Sequence, residues 1–232
     1  FVLVTGWVPT DVVCSVSGTT ITCGSPLTIN SSYQTDYISV AALDSSHFVV
    51  GYQSGVTTSG HPYAVVGSVS GTSISNGSPN SLDTTVSAVP EFVAALSPTR
   101  FVEAYGTKLI VATVSGTTIS KGSPVSLGIT TNALASLDST HFVLVYGSHP
   151  TAMVSIVSGT TIATGTPVAL TSDNSSGSSV AALDSIHFAL SYVRNDGSYY
   201  PTQIVSAVSG TTITPGVPTG LASVNSGVTI AV

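Results

Sequence analysis

Apolar residues along this chain come in short, dense runs broken by Gly, Ser, Thr and Asp. In Phe142-Val143-Leu144-Val145 every position is apolar, and Ala64-Val65-Val66 reads the same way. Such short continuous runs predict strands covered on both faces, not the alternation of a half-wet sheet. Other runs, such as 40–43, are richer in Ala, as a crowded inner strand should be. The breaks carry turn chemistry: Asp and Ser side chains bond nearby backbone, and Gly permits positive φ. No run approaches the roughly 18 apolar residues of a membrane helix.

The runs recur as units. Val-Ser-Gly-Thr-Thr or a near copy begins at Val16, Val69, Val114, Val157 and Val208, at steps of 53, 45, 43 and 51 residues. A second phrase precedes it, Ala42-Leu43-Asp44-Ser45-Ser46-His47-Phe48, with counterparts ending at Phe101, Phe142 and Phe188. A period of about 40–50 residues marks a propeller with four short strands per blade. In one unit the strands are A at 40–43, B at 48–52, C at 64–69 and D from 74. The A–B and C–D turns are nearly constant between units.

The two ends complement each other. Phe1-Val2-Leu3-Val4 matches strand B at 142–145, and Ile230-Ala231-Val232 matches strand A at 180–182. The expected fold is therefore all-β: a five-bladed β-propeller of four-stranded antiparallel blades. N-terminal strands B, C and D pair with the C-terminal strand A to close it. The blade units fall at about 1–26 plus 222–232, 38–79, 91–124, 133–167 and 179–218 of a single domain. Closure removes the exposed edge of an open array. An open solenoid, the alternative, has no need of complementary half-units.

Composition narrows the partners. Only 6% of residues are charged, Lys and Arg total 4, and the net charge is −6. Phosphate recognition needs clustered cations, so nucleic acid and anionic membrane surfaces are excluded as expected partners. The mean hydropathy of +0.48 reflects the many strands buried on both faces, while low charge and a Ser/Thr-rich exterior predict an extracellular or cell- or virion-surface protein. With Phe first and no signal peptide, a processed chain or an excised fragment is expected. Asn30, Asn76 and Asn174 are candidate N-glycosylation sites. If residues 17–20 form a hairpin loop, Cys14 faces Cys23 within disulfide reach, and a disulfide is expected there.

Difference between units gathers in the B–C and D–A loops, which leave one face of a propeller. The B–C loops are 6–11, 53–63, 106–108, 147–150 and 193–203, and the D–A loops 30–37 and 171–178 differ as well. Binding residues concentrate on loops held by a rigid scaffold. The ligand-contact candidates are Trp7, Tyr33, Tyr63, Arg194, Asp196, Tyr199 and Tyr200. Weaker candidates are Tyr52, Tyr105, Tyr146 and Tyr192, which end four B strands and suit equally well a packing role. Aromatic faces beside amides and carboxylates suit sugars.

Catalysis is not expected. His47, His141 and His187 recur on separate blades and suit a bond to the Asp-Ser turn, so no metal or cofactor is expected. Asp173-Asn174 and Asn195-Asp196-Gly197 read as solvated turns. The chain has two glutamates, Glu91 and Glu103; Glu103 is assigned to the strand-B position of Gly51, Val145 and Ser191. A glycosidase needs two carboxylates close together at the ring centre.

In blade count and terminal closure, the organisation resembles small five-bladed propeller lectins of the tachylectin-2 kind, over the whole chain. The resemblance implies carbohydrate binding and transfers no residue roles. The expected function is a non-catalytic, lectin-like carbohydrate-binding module for glycans or a cell-surface partner. Its alternatives are a structural or adhesive subunit (adhesin, filament or capsid surface), self-assembling or in tandem copies, and, more remotely, a glycosidase.

Overall fold

The computed structural model describes residues 1–31, 35, 37–55, 60–86, 90–195 and 199–221, with Tyr199 as backbone only. The terminal strand expected at 230–232 lies outside them. The chain divides into two compact units, Phe1–Pro124 and Val125–Val232.

The first unit holds three antiparallel sheets. Sheet one is β1 (Val2–Thr5), β2 (Thr10–Ser17) and β3 (Thr20–Cys23), with β4 (Leu27–Thr28) on β2. Sheet two is β5 (Ile38–Ala42), β6 (His47–Ser54), β7 (His61–Ser70) and β8 (Ser73–Asn76), with β9 (Asn80–Ser81) on β7. Sheet three runs β10 (Glu91–Ser97), β11 (Arg100–Tyr105), β12 (Lys108–Ser115), β13 (Thr118–Lys121).

The second unit begins with β14 (Val125–Ser126) and holds two sheets. Sheet four is β15 (Thr131–Ser136), β16 (His141–Tyr146), β17 (Thr151–Ser158) and β18 (Thr161–Thr164), with β19 (Val168–Ala169) on β17. Sheet five is β20 (Ser175–Asp184), β21 (His187–Asn195), β22 (Tyr199–Ser209) and β23 (Thr212–Pro215), with β24 (Thr219–Gly220) on β22.

The repeated phrase is a tight hairpin. Val16 pairs with Ile21, Val69 with Ile74, Val114 with Ile119, Val157 with Ile162 and Val208 with Ile213. The ladder extends one pair beyond the expected loop, because Ser17 pairs with Thr20. Two residues remain in the turn, and the first is Gly with φ of 59° to 62°, the left-handed backbone such turns demand. Cys14 pairs with Cys23, and a disulfide joins them.

Sheets stack face to face within each unit. Phe48, Val50 and Tyr52 pack with Val2, Val4 and Ile29 between sheets one and two. Val49 and Val66 pack with Phe101, Tyr105 and Ile110 between sheets two and three. Val143 and Val145 pack with Phe188, Leu190 and Tyr192 between sheets four and five. Strand faces alternate, and β6, β11, β16 and β21 bury both of theirs. The hairpins dock as well. A Cβ at Gly24 would overlap the Thr72 carbonyl, one at Gly77 the Thr117 carbonyl, and one at Gly165 the Thr211 Cβ at 2.7 Å. A glycine at the end of one sheet thus receives the turn threonine of the next.

The Asp-Ser turns are tied by their histidines. Asp44 Oδ1 accepts from the Ser46 and His47 amides at 2.6 and 2.8 Å, and His47 Nδ1 stands 3.1 Å from Asp44 Oδ2. His141–Asp138 and His187–Asp184 repeat the pairing at 2.9 Å. The Ser46 amide, its hydroxyl and His47 hold the Asp44 carboxyl at about 2.

Register corrects one assignment. Glu103 pairs with Ile110 as Val50 pairs with Val65, Leu144 with Met153 and Leu190 with Ile204. Its equivalents are therefore Val50, Leu144 and Leu190. Gly51, Val145 and Ser191 sit one residue further on and face the opposite way, since a shift of one residue turns every side chain over.

Candidate functional site

The ends of the second strands carry the tyrosines. Tyr52, Tyr105 and Tyr192 are fully buried. Their hydroxyls meet the loop that follows the last strand of the preceding sheet. Asn30 Nδ2 donates to the Tyr52 hydroxyl at 3.5 Å; Tyr105 donates to Asp83 Oδ2 at 3.4 Å and Tyr192 to Asp173 Oδ2 at 2.9 Å. Burial raises the phenols of Tyr52 and Tyr192 to about 12. These three rings are core side chains, and none offers a face to a ligand.

Tyr146 is the exception. It is half-buried and lines a cavity of about 410 Å³ together with Ile129, Thr130, Asn132, Gly147, Ser148 and Ser175. The preceding loop differs from its counterparts. Asn30 and Asp83 stand two residues beyond β4 and β9; two residues beyond β14 stands Gly128. Gly128 has φ of 69°, and a Cβ there would meet nothing within 4 Å. Gly128 has no side chain with which to bond the Tyr146 hydroxyl as Asn30 and Asp83 bond those of Tyr52 and Tyr105. The rim is fixed by backbone contacts: Asn132 Nδ2 donates to the Gly147 carbonyl at 3.0 Å, and the Ser175 hydroxyl to the Ser148 carbonyl at 3.1 Å. The lining has one aromatic ring, one amide, three hydroxyl side chains and no ionised group.

The stronger candidates scatter. Trp7 is 66% exposed in the β1–β2 turn, and its carbonyl accepts from the Thr35 amide at 2.8 Å. Tyr63 is half-buried and stacks on Tyr52, with ring centroids 5.9 Å apart. Arg194 Nε stands 3.4 Å from Asp173 Oδ1, so its charge is partnered within the protein. Tyr200 is exposed. Tyr33 and Asp196 lie outside the described residues, as does the side chain of Tyr199. No group of three or more His, Cys, Asp or Glu suited to a metal occurs among the described residues. Lys108 is held by Asp83 Oδ2 at 2.7 Å and the Thr85 hydroxyl at 2.9 Å.

Asn132, Thr130 and Ser175 escaped the reading of the sequence because Ser, Thr and Asn are everywhere in it. The usable signal was Gly128, where two other units have Asn30 and Asp83.

No family model matches the chain, and no curated protein matches it. Solved structures do match. A candidate 6-phosphogluconolactonase from Bacteroides fragilis superposes with a TM-score of 0.66 at 10% identity, over 94% of this chain and 67% of that one. The fucose-specific lectin from Aleuria aurantia superposes with a TM-score of 0.51 at 14% identity, over 95% and 73%. Another structure of that lectin, described as a six-bladed β-propeller, gives 0.48 at 14% over 91% and 70%. The likeness is one of fold alone: repeated antiparallel sheets.

Proposed function

We propose that this protein is a non-catalytic module that binds neutral glycans, with the Tyr146 cavity as its principal site. The carrying observation is that cavity. Its size suits a single sugar ring, its tyrosine offers an apolar face to sugar C–H groups, and its amide and hydroxyls match sugar hydroxyls without charge. Trp7, on a loop of the first unit, is a separate aromatic candidate for glycan contact. Fucosylated glycans are the first probes, because the Aleuria aurantia lectin is fucose-specific. The disulfide suits an oxidising, extracellular setting. The glycosidase reading gains nothing from Glu91 and Glu103, which are buried.

We also read the five sheets as five blades of one ring, closed by residues 230–232 beside β1. In support, among the described residues sheet one has no counterpart of the strand that opens the other four. Its Leu3, Val16 and Ile21 are exposed, whereas Val114 and Ile119 of sheet three are buried.

The test is an array of neutral, sialylated and sulfated glycans, followed by calorimetry on the hits. Wild type binds neutral glycans. Tyr146→Ala and Gly128→Asn, which refills the missing Asx position, each weaken binding at least tenfold, about 1.4 kcal/mol. Trp7→Ala lowers the array signal. A blank array, or binding indifferent to all three substitutions, refutes the reading.

A further inference from the structure

The only two glutamates of the chain stand on one face of sheet three. Glu91 pairs with Tyr105 and Val93 with Glu103, so the two glutamates are diagonal neighbours across β10 and β11. Diagonal pairs on one sheet face lie within reach of long side chains. Both are buried, Glu103 at 0% exposure and Glu91 at 4%. None of their four carboxyl oxygens has a donor among the described residues. The two carboxyls are close enough to bond each other, which two anions cannot do and an acid with its anion can.

Sheet two makes room for them. A Cβ at Gly51 would stand 3.0 Å from the Glu103 carboxyl. At the Glu103 position the other sheets carry Val50, Leu144 and Leu190, so a well-packed apolar alternative exists within the same fold.

Among the described residues, the ionisable groups around the pair give no counter-charge. Tyr52 from sheet two and Tyr105 from sheet three lie nearby. Tyr105 donates to Asp83, an anion, and the Lys108 ammonium is bound to Asp83 and Thr85. An unpaired carboxylate in such a place costs several kcal/mol, and a second beside it costs more.

We propose that Glu91 and Glu103 form a single proton-holding unit clamped between sheets two and three, so that these sheets pack fully only while the pair keeps a proton. Burial, and for Glu91 the neighbouring Glu103, push both carboxyls well above the ordinary range. In the unfolded chain both titrate near 4.3. The folded state therefore holds more protons above that pH. Stability is complete below it and declines as pH rises through the folded-state titration. Buried Asp11, also raised by desolvation, adds a slope of the same sign and is present in every variant below.

The whole chain is unfolded by heat and by urea from pH 4.5 to 8.5, as wild type, Glu103→Gln and Glu103→Leu. Wild type loses stability with pH relative to either variant. The difference reaches up to tenfold in the unfolding constant per pH unit for one retained proton. Glutamate labelled with 13C at Cδ gives two carboxyl signals, since the chain has no other glutamate. At least one signal stays in its protonated position well above pH 4.5. Parallel stability profiles in all three proteins, or two carboxyls that both titrate near 4.3, overturn the proposal. The labelled wild type decides the matter even if a variant does not fold.

Discussion

Replacing Gly77 by Ala tests the docking of one hairpin on the next. Gly77 is not among the positive-φ glycines, so its backbone accepts Ala without strain. At such a site Gly→Ala alone stabilises by about 0.4–1 kcal/mol, through the unfolded chain. Packing predicts the opposite sign. The new methyl would overlap the Thr117 carbonyl and stand 2.8 Å from Thr117 Cβ, whereas carbon atoms prefer about 3.5–4.0 Å. Relief needs a shift of roughly 1 Å between β8 and the β12–β13 turn. It also strains the bond from the Gly77 amide to the Val66 carbonyl, now 2.9 Å. Overpacking of this kind costs about 1–3 kcal/mol. For a chain of this length that is a fall in Tm of roughly 2–12 °C. Urea unfolding and thermal melts followed by circular dichroism measure it. A Gly77→Ala protein as stable as wild type, or more stable, refutes the docking.

Two further outcomes follow from the same structure. If residues 230–232 pair with β1 as proposed, deleting 228–232 exposes the β1 edge and invites pairing between molecules; size exclusion then shows dimers or larger species, and an unchanged monomer with an unchanged Tm argues against closure. Expressed in a glycosylating host, the protein carries glycan on exposed Asn174 and none on Asn76, whose Nδ2 donates to buried Asp11 at 2.8 Å; peptide mass mapping that finds occupied Asn76 in folded protein contradicts that contact.

The strands were legible because each is punctuated. Asp-Ser before Phe48, Phe142 and Phe188, and Ser-Gly-Thr after Val69, Val114 and Val157, mark both ends of the same run, and Cys14 opposite Cys23 followed from the hairpin register. Position within a run was less legible. Phe101-Val102-Glu103-Ala104 has no internal landmark, and a slip of one residue put Glu103 in the place of Gly51, when Gly51 is the residue it packs against. The site was harder still. Tyr52, Tyr105, Tyr146 and Tyr192 look alike along the chain. What separates Tyr146 is a side chain absent from another loop, at Gly128, and a missing contact has no residue type of its own.

The joint between Gly77 and Thr117 recurs at Gly24 with Thr72 and at Gly165 with Thr211. Sheets one, two and four carry the socket at their far ends, and sheets two, three and five the plug in their hairpins, so a copy of sheet two duplicated in frame brings both halves of the fitting. Neither half involves the loops that hold Trp7 or Tyr146. Where the joint is present, loops can diverge without touching the coupling between neighbouring sheets, and a library randomised only at 147–150 and 128–132 would sample new specificities on an unaltered coupling.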